Sequence, residues 1–278
     1  MKHDIKLVAA DFDGTLLSPD GSISPYNKEM IYKAQEAGII FAAATGRYPE
    51  NTAQIMEDEG IVCPIIASNG AVVDLSPFGE RIHENLMDPA SAHAVFEVLE
   101  SFGEGYYIFG RRTVINRWQI PRHISERDTG HLARLKRRVA YLNGVEACRE
   151  ALTQPLYKFF VIFDDDDHPA AEIQQALAHV PGIEMTSSGG RNLEIMPAGA
   201  NKGEGLQVLS RHLGIQPGQI MALGDQLNDL AMIRYAGLGV AMGNAVPQVM
   251  AEADAVTDRF DQDGVGKAIA KYVLNDCG

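Results

Sequence analysis

Short apolar runs alternate with helical patterns over the first third of the chain. Residues 5–10, 39–44 and 65–67 predict buried strands, because each run is apolar apart from Lys6 and too short for a helix. Ser24-Pro25 begins a helix that Gly38 ends, since serine caps a helix and proline fits its first position. Buried strands that alternate with helices are typical of a parallel sheet covered on both faces.

The middle of the chain has a different pattern, in which helices precede short paired strands. Helices are predicted at residues 90–102, 122–141 and 169–179. Strands are predicted at residues 106–109, 113–116, 157–163, 183–187 and 192–196. Turns rich in glycine separate these strands, so the middle favours an α+β unit with a more antiparallel sheet.

The last third returns to the first pattern, with a helix at residues 203–213 and strands at 220–223 and 238–241. We therefore predict an α/β protein with a Rossmann-like parallel-sheet core. The core comprises residues 1–82 and 191–278, and an inserted α+β domain comprises residues 83–190.

Composition and cysteine usage indicate the compartment. The 278 residues are 46% hydrophobic and 22% charged, as in soluble globular proteins. The three cysteines are far apart and form no CxxC pair, which predicts neither a disulfide framework nor a zinc site. We expect a cytoplasmic location, and no apolar stretch approaches the roughly 20 residues of a membrane helix.

The net charge of −13 argues against general binding to nucleic acid or to an anionic membrane. Residues 111–138 differ from the rest, with eight arginines and one lysine against Glu126 and Asp128. Two interpretations stay open: a solvated helix face, or a surface that attracts an anionic substrate. Under the second, the candidates are Arg112, Arg117 and Arg122.

Polar residues follow the predicted core strands at their carboxyl ends, where ligands bind in an open parallel sheet. These residues are Asp11, Asp13, Thr45, Arg47, Ser68, Asn69, Asp225, Asn228 and Asp229. Lys202 lies between a strand and the start of a helix. If the strands are neighbours, several carboxylates and one lysine meet in a single site.

These residue types suit phosphoryl transfer. Carboxylates are ligands for Mg²⁺, and a carboxylate can attack phosphorus to form an aspartyl-phosphate that water then cleaves. A second carboxylic acid can protonate the leaving alcohol and later activate that water. Lysine and backbone N–H groups can hold the phosphoryl oxygens.

Four motifs, in order along the chain, resemble those of the haloacid dehalogenase-like superfamily. They are Asp11-Phe12-Asp13-Gly14-Thr15-Leu16, Thr45-Gly46-Arg47, Asn201-Lys202-Gly203 and Gly224-Asp225-Gln226-Leu227-Asn228-Asp229. The insertion between the second and third motifs resembles the Cof-type (IIB) branch, which implies a C2B-type cap. Ser68-Asn69-Gly70-Ala71, Leu193-Glu194-Ile195 and Ala241-Met242-Gly243-Asn244-Ala245 are also similar to that branch.

The resemblance implies roles for individual residues. Asp11 would be the nucleophile and Asp13 the general acid/base. Lys202 would balance the negative charge on the nucleophile and the phosphate. The implied metal ligands are Asp11, Asp13 through its backbone carbonyl, Asp225 and Asp229. The implied phosphate- or substrate-binding residues are Thr45, Gly46, Arg47, Asn69, Asn201 and Asn228.

The resemblance also implies a Mg²⁺-dependent phosphatase. Its substrates would be small phosphorylated metabolites such as sugar phosphates, nucleotides or phosphorylated cofactors. Two alternatives stay open: phosphoryl transfer to a sugar, as in phosphomutases, and a non-catalytic ligand-binding regulator. A regulator would usually have lost a catalytic carboxylate or the lysine, and none is missing here.

Overall fold

The structure is a computed structural model that describes residues 4–117, 139–164, 168–188 and 191–274. It divides into two compact units, which we call the core unit and the inserted unit. The core unit comprises Met1–His83 and Asn201–Gly278, and the inserted unit comprises Glu84–Ala200.

The elements are numbered along the chain. The first part contains β1 (Leu7–Ala10), α1 (Pro25–Glu36), β2 (Ile40–Ala44), α2 (Pro49–Asp58), β3 (Ile65–Ala67), β4 (Val72–Asp74) and β5 (Arg81–Glu84). The middle contains α3 (Pro89–Phe102), β6 (Gly105–Gly110), β7 (Thr113–Asn116), β8 (Ala140–Asn143), α4 (Val145–Ala151), β9 (Leu156–Ile162), α5 (Ala170–Leu177), β10 (Ile183–Thr186) and β11 (Asn192–Pro197). The last part contains α6 (Lys202–Leu213), β12 (Ile220–Gly224), α7 (Leu230–Tyr235), β13 (Leu238–Ala241), α8 (Pro247–Glu252), β14 (Ala255–Val256) and α9 (Gly264–Ile269). Within the described ranges, none of the helices has both the length and the apolar character needed to cross a bilayer.

The core sheet has the strand order β14-β13-β12-β1-β2-β3-β4-β5. Strand β1 lies between β12 and β2 and is parallel to both, with Leu7 opposite Ile220 on one side and Ile40 on the other. The carboxyl ends of these three strands therefore share one edge. The predicted α/β core with a parallel sheet is confirmed.

The central strands β1, β2 and β12 of the core sheet are buried on both faces, which explains why they are continuous apolar runs. In β1, Val8 and Ala10 pack into a cluster with Met30 of α1 and Ile269 of α9. The alternate residues Leu7 and Ala9 pack on the opposite face with helix α6 through Leu206 and Leu209. Strand β1 is thus packed on both faces, and the chain continues from Ala10 to Asp11 at the polar edge.

The inserted unit contains a six-stranded sheet of order β10-β11-β9-β6-β7-β8. Its described pairs are antiparallel apart from β7 and β8. One face carries a cluster that includes Phe96 of α3, Phe159 of β9 and Ile173 of α5.

The predicted helix at 122–141 is wrong at its end. Ala140–Asn143 forms strand β8, because its backbone pairs with β7 and the Ala140 N–H donates to the Arg112 carbonyl at 2.8 Å. Residues 122–138 of that prediction lie outside the described residues.

The second boundary of the inserted unit follows Ala200, whereas the sequence suggested residue 190. Strand β11 pairs antiparallel with both β9 and β10, so it belongs to the sheet of the inserted unit. Its pairing with the preceding strand β10 and with β9 decides this place.

A close backbone approach fixes the start of helix α6. Gly70 has φ +90° in the turn after β3, and a Cβ there would overlap the Asn201 carbonyl oxygen. The Asn201 side chain caps α6 by accepting from the Glu204 N–H at 3.0 Å. The first turn of α6, and with it Lys202, is therefore seated directly on this turn.

Gly70→Ala should lower the free energy of unfolding by about 1–3 kcal/mol more than Gly38→Ala, because only the first adds overpacking to an unfavourable φ. Gly38 is the matched control, with φ +81° and nothing within 4 Å of an added Cβ. Urea unfolding of both variants measures the difference. Equal losses would contradict the close approach.

Candidate active site

Three neighbouring parallel strands deliver acidic and hydroxyl side chains to one edge of the core sheet. Asp11 directly follows β1, and its N–H donates to the Leu223 carbonyl of β12 at 3.0 Å. Thr45 follows β2, and Asp225 follows β12. All three side chains are buried. The structure therefore brings together the residues that sequence placed at strand ends.

Lys202 is the positive centre of this edge. Its Nζ lies 2.6 Å from Asp11 Oδ1 and 2.5 Å from Asp229 Oδ1, and its side chain is fully buried. Burial alone would lower the pKa of Lys202, but the carboxylates of Asp11 and Asp229 raise it overall. The ammonium therefore stays charged between two carboxylates.

Asp229 organises the loop after β12. Its Oδ1 accepts from Lys202, and its Oδ2 accepts from the backbone N–H groups of Asp225 and Gln226 at 2.8 and 2.9 Å. Both carboxylate oxygens are thus engaged within the protein. Asp229 orients Lys202 and the backbone of Asp225, which assigns it a supporting place beside the candidate metal ligands.

Asp225 is held by donors on both oxygens. The Thr15 hydroxyl donates to Oδ1 at 3.0 Å, and the Asn244 amide donates to Oδ2 at 3.2 Å. Asn244 also donates to the Gly14 carbonyl at 2.9 Å, so it ties the loop after β1 to Asp225. Sequence reasoning assigned no role to Thr15 or Asn244, although both stand in the motifs it quoted.

Three carboxylates share one ammonium in this cluster. Oxygen atoms of Asp11, Asp225 and Asp229 all lie within 4.8 Å of one another. Burial, and next the charge of Asp229, raise the pKa of Asp11 well above its usual range and that of Asp225 to about 6. An all-oxygen group with excess negative charge fits a hard divalent cation.

Asp13 and Arg47 form an ion pair between the loops after β1 and β2. Arg47 Nε donates to Asp13 Oδ2 at 2.8 Å, and Nη2 donates to Oδ1 at 2.5 Å. Arg47 was expected to bind phosphate or substrate, and the structure places its guanidinium against Asp13. Gly46, between Thr45 and Arg47, is half-buried.

Two of the three predicted amide residues of the core unit, Asn69 and Asn228, contact each other. Asn228 Nδ2 donates to Asn69 Oδ1 at 3.1 Å, and both residues are buried. Asn69 has φ +52°, and its N–H donates to the Thr45 carbonyl at 3.0 Å. Asn201, in contrast, uses its side-chain oxygen as the cap of α6.

The arginines proposed to attract substrate belong to the inserted unit. Arg117 Nε donates to Glu100 at 2.5 Å, and the Tyr106 hydroxyl donates to the same carboxylate at 2.8 Å. This ion pair gives Arg117 a structural partner. Arg112 is exposed, and Arg122 lies outside the described residues.

Comparisons with known proteins agree with this geometry. A family model described as haloacid dehalogenase-like hydrolase matches residues 8–269. The 5-amino-6-(5-phospho-D-ribitylamino)uracil phosphatase YcsE of Bacillus subtilis is 30% identical over 273 residues, which cover 98% of this chain and 97% of that protein. The HMP-PP phosphatase of Cronobacter sakazakii is 28% identical over 249 residues, covering 89% and 87%.

Solved structures show the same architecture. A haloacid dehalogenase-like hydrolase from B. subtilis superposes with a TM-score of 0.85 at 27% identity, covering 97% of this chain and all of that one. The subclass IIB sugar phosphatase BT4131 gives a TM-score of 0.79 at 25% identity, covering 96% and 98%.

Asn244→Ala should weaken Mg²⁺ binding by roughly 10–100-fold, because it removes a hydrogen bond that orients Asp225. Asn143→Ala is the control, since Asn143 is exposed on β8 of the inserted unit. Calorimetric titration with Mg²⁺ measures both affinities. An unchanged affinity in Asn244→Ala would show that Asp225 needs no such support.

The raised pKa of Asp225 predicts a pH-dependent stability difference from Asp225→Asn in the metal-free protein. Between the usual pKa of 3.8 and about 6, the folded state binds a proton that the unfolded state has lost. The free energy of unfolding of the wild type should therefore fall relative to the variant by roughly 1–3 kcal/mol as the pH rises from 4 to 7. Urea unfolding in chelator across this range measures the difference, and a pH-independent difference would refute the shift.

Proposed function

The chain belongs to the haloacid dehalogenase-like hydrolase family, and from this membership we propose that it is a Mg²⁺-dependent phosphatase acting through an aspartyl-phosphate on Asp11. The predicted family, fold and enzyme class, a phosphoric monoester hydrolase, agree with the relatives. The observation that carries the mechanism is the buried contact of Asp11 with Lys202, beside Asp225 and Asp229.

In the first step, an oxygen of Asp11 attacks the phosphorus of the ester. The bond from phosphorus to the leaving oxygen breaks, and Asp13 gives its proton to that oxygen so that an alcohol departs. Lys202 lies 2.6 Å from Asp11 Oδ1, where it offsets negative charge on the nucleophile and the incoming phosphoryl group.

In the second step, water attacks the phosphorus of the aspartyl-phosphate. Asp13, now ionised, takes a proton from this water, and the bond from phosphorus to Asp11 breaks. Inorganic phosphate leaves, and the Asp11 carboxylate is restored. The two steps sum to hydrolysis of one phosphate monoester.

The metal would be held by the side chains of Asp11 and Asp225 and by the backbone carbonyl of Asp13. When bound, Mg²⁺ would supply positive charge that offsets the negative charge of the three carboxylates and of the phosphoryl oxygens. Asp229 contributes by fixing Lys202 and the loop of Asp225, because both of its oxygens already accept hydrogen bonds.

The phosphoryl oxygens would be met by Thr45, the Gly46 N–H and the amides of Asn69 and Asn228. Thr45 Oγ1 accepts from the Arg47 N–H at 3.1 Å, and a hydroxyl that accepts there still has its proton to donate. The Asn228 side chain is buried and already bonded to Asn69, which gives it a fixed orientation.

We propose that the substrate is a small phosphorylated metabolite and that residues of the inserted unit select its leaving group. The relatives named above act on a phosphorylated ribitylaminouracil and on HMP-PP. A panel of sugar phosphates, nucleotides and phosphorylated cofactors, ranked by kcat/KM, tests this class directly. Release of free phosphate rather than an isomerised sugar phosphate separates hydrolysis from phosphoryl transfer to a sugar.

Asp11→Asn should reduce phosphate release by at least roughly 1000-fold, because an amide oxygen cannot act as this nucleophile. Glu29→Gln, at an exposed carboxylate of α1, should leave the rate unchanged. Free phosphate released from the best panel substrate is the readout for both variants. Near wild-type turnover by Asp11→Asn would exclude the aspartyl-phosphate mechanism.

A chelator should abolish turnover by the wild type, and added Mg²⁺ should restore it. The excess negative charge of the buried carboxylates is the physical reason, since it repels a phosphate dianion unless a cation offsets it. Activity that persists after exhaustive chelation and dialysis would contradict the metal requirement.

A further inference from the structure

We propose that Arg47 is a positioning residue whose guanidinium fixes the carboxyl group of Asp13, and that it is not a ligand of the phosphoryl group. This inference rests on the proposed role of Asp13 as the general acid/base. It replaces the phosphate-binding role that sequence suggested for Arg47 with a role in proton transfer.

The contact between the two side chains is bidentate. Nε and Nη2 of Arg47 donate to separate oxygens of Asp13, at 2.8 and 2.5 Å. A planar guanidinium that meets both oxygens of a carboxylate fixes its rotation as well as its position. A single hydrogen bond or a lysine ammonium would leave the carboxyl group free to turn.

Asp13 needs such a restraint more than the other acids of the site. Its side chain is 57% exposed, whereas the Asp11 side chain is 6% exposed and packed against Lys202. An exposed aspartate samples several rotamers in water, and proton transfer requires it within hydrogen-bond reach of the reacting oxygen. Holding it in one orientation avoids that search at every turnover.

Arg47 is itself anchored by the protein. Its N–H donates to Thr45 Oγ1 at 3.1 Å, and its carbonyl accepts from the Ser68 N–H at 2.9 Å. Its Nη1 reaches Asn51 Oδ1 of helix α2 at 3.5 Å. The guanidinium is thus presented from a backbone tied to the ends of β2 and β3.

The geometry separates this role from phosphate binding. The Nε and Nη2 edge of the Arg47 guanidinium can bind an oxyanion through two hydrogen bonds. In the structure, both hydrogen bonds go to Asp13. To grip a phosphoryl group with that edge, Arg47 would have to release Asp13. If Arg47 binds the phosphoryl group, its substitution should lower activity whether or not Asp13 is present. If Arg47 positions Asp13, its substitution should lower activity only when Asp13 is present.

A double-mutant cycle on the full-length enzyme with Mg²⁺ distinguishes the two roles. The variants are Arg47→Ala, Asp13→Ala and their combination, with Arg47→Lys as the conservative change. Each is assayed on an alkyl phosphate, whose alcohol needs a proton to leave, and on an aryl phosphate with an acidic phenol, which does not. Rapid-mixing release of the phenol reports the first step alone.

We expect Arg47→Ala to lower kcat on the alkyl phosphate by roughly 10–1000-fold, the range of a misplaced general acid. The phenol-release step and KM for the alkyl phosphate should change less than about threefold, and Arg47→Lys should recover only part of the loss. In the Asp13→Ala background, Arg47→Ala should have no further effect on either substrate.

The opposite pattern overturns the proposal. If Arg47→Ala raises KM for both substrates alike, slows phenol release and still acts in the Asp13→Ala background, Arg47 binds the phosphoryl group. Arg234→Ala serves as the matched control, since Arg234 forms an exposed pair with Glu252 at 3.1 Å. Asp11→Asn is included to test the proposed function separately. If this variant is active, the proposed function is wrong. If it is inactive, a failed prediction concerns only the role of Arg47.

Discussion

The sharing of one buried ammonium among several buried carboxylates is the constraint on which the site depends. Lys202 pairs with both Asp11 and Asp229, and Asp225 lies beside them. Removing charges from water is costly, and only close pairing offsets that cost. A bound cation or added protons therefore stabilise the cluster. The raised pKa values of Asp11 and Asp225 reflect its burial and its excess negative charge. Under the proposed function, this excess negative charge favours a divalent cation, and a phosphate dianion can approach only when that cation offsets it.

The scaffold converts this charge cluster into a fixed arrangement. Hydrogen bonds from Thr15, Asn244 and two backbone N–H groups orient Asp225 and Asp229. The turn after β3 packs against the first turn of α6 through the backbones of Gly70 and Asn201. This backbone contact fixes the position of Lys202. Rigid support matters because electrostatic stabilisation of a transition state requires groups already in place.

Much of this arrangement could be predicted from sequence, and the reasons are physical. A buried parallel strand has an apolar pattern that ends where the chain meets the polar edge, so Asp11, Thr45 and Asp225 could be located. The hydrogen-bond partners of individual side chains could not be predicted, because they depend on the folded geometry. Arg47 donates to Asp13, and Asn201 caps helix α6. Strand β8 was missed for the same reason, since its backbone partner β7 decides its state.

The central position of β1 has a consequence for how the chain is made. Thr15 and Asp225, which touch in the native site, are 210 positions apart in sequence. At synthesis rates of about 5–20 residues per second, the first strand waits roughly 10–40 s for its neighbour β12 to emerge. During that interval the contiguous inserted unit can fold, while Leu7, Val8, Ala9 and Ala10 have β2 on one edge only. The edge that carries Asp11 and Asp225 is therefore among the last features of the nascent protein to form, and the apolar residues of β1 stay incompletely covered until then.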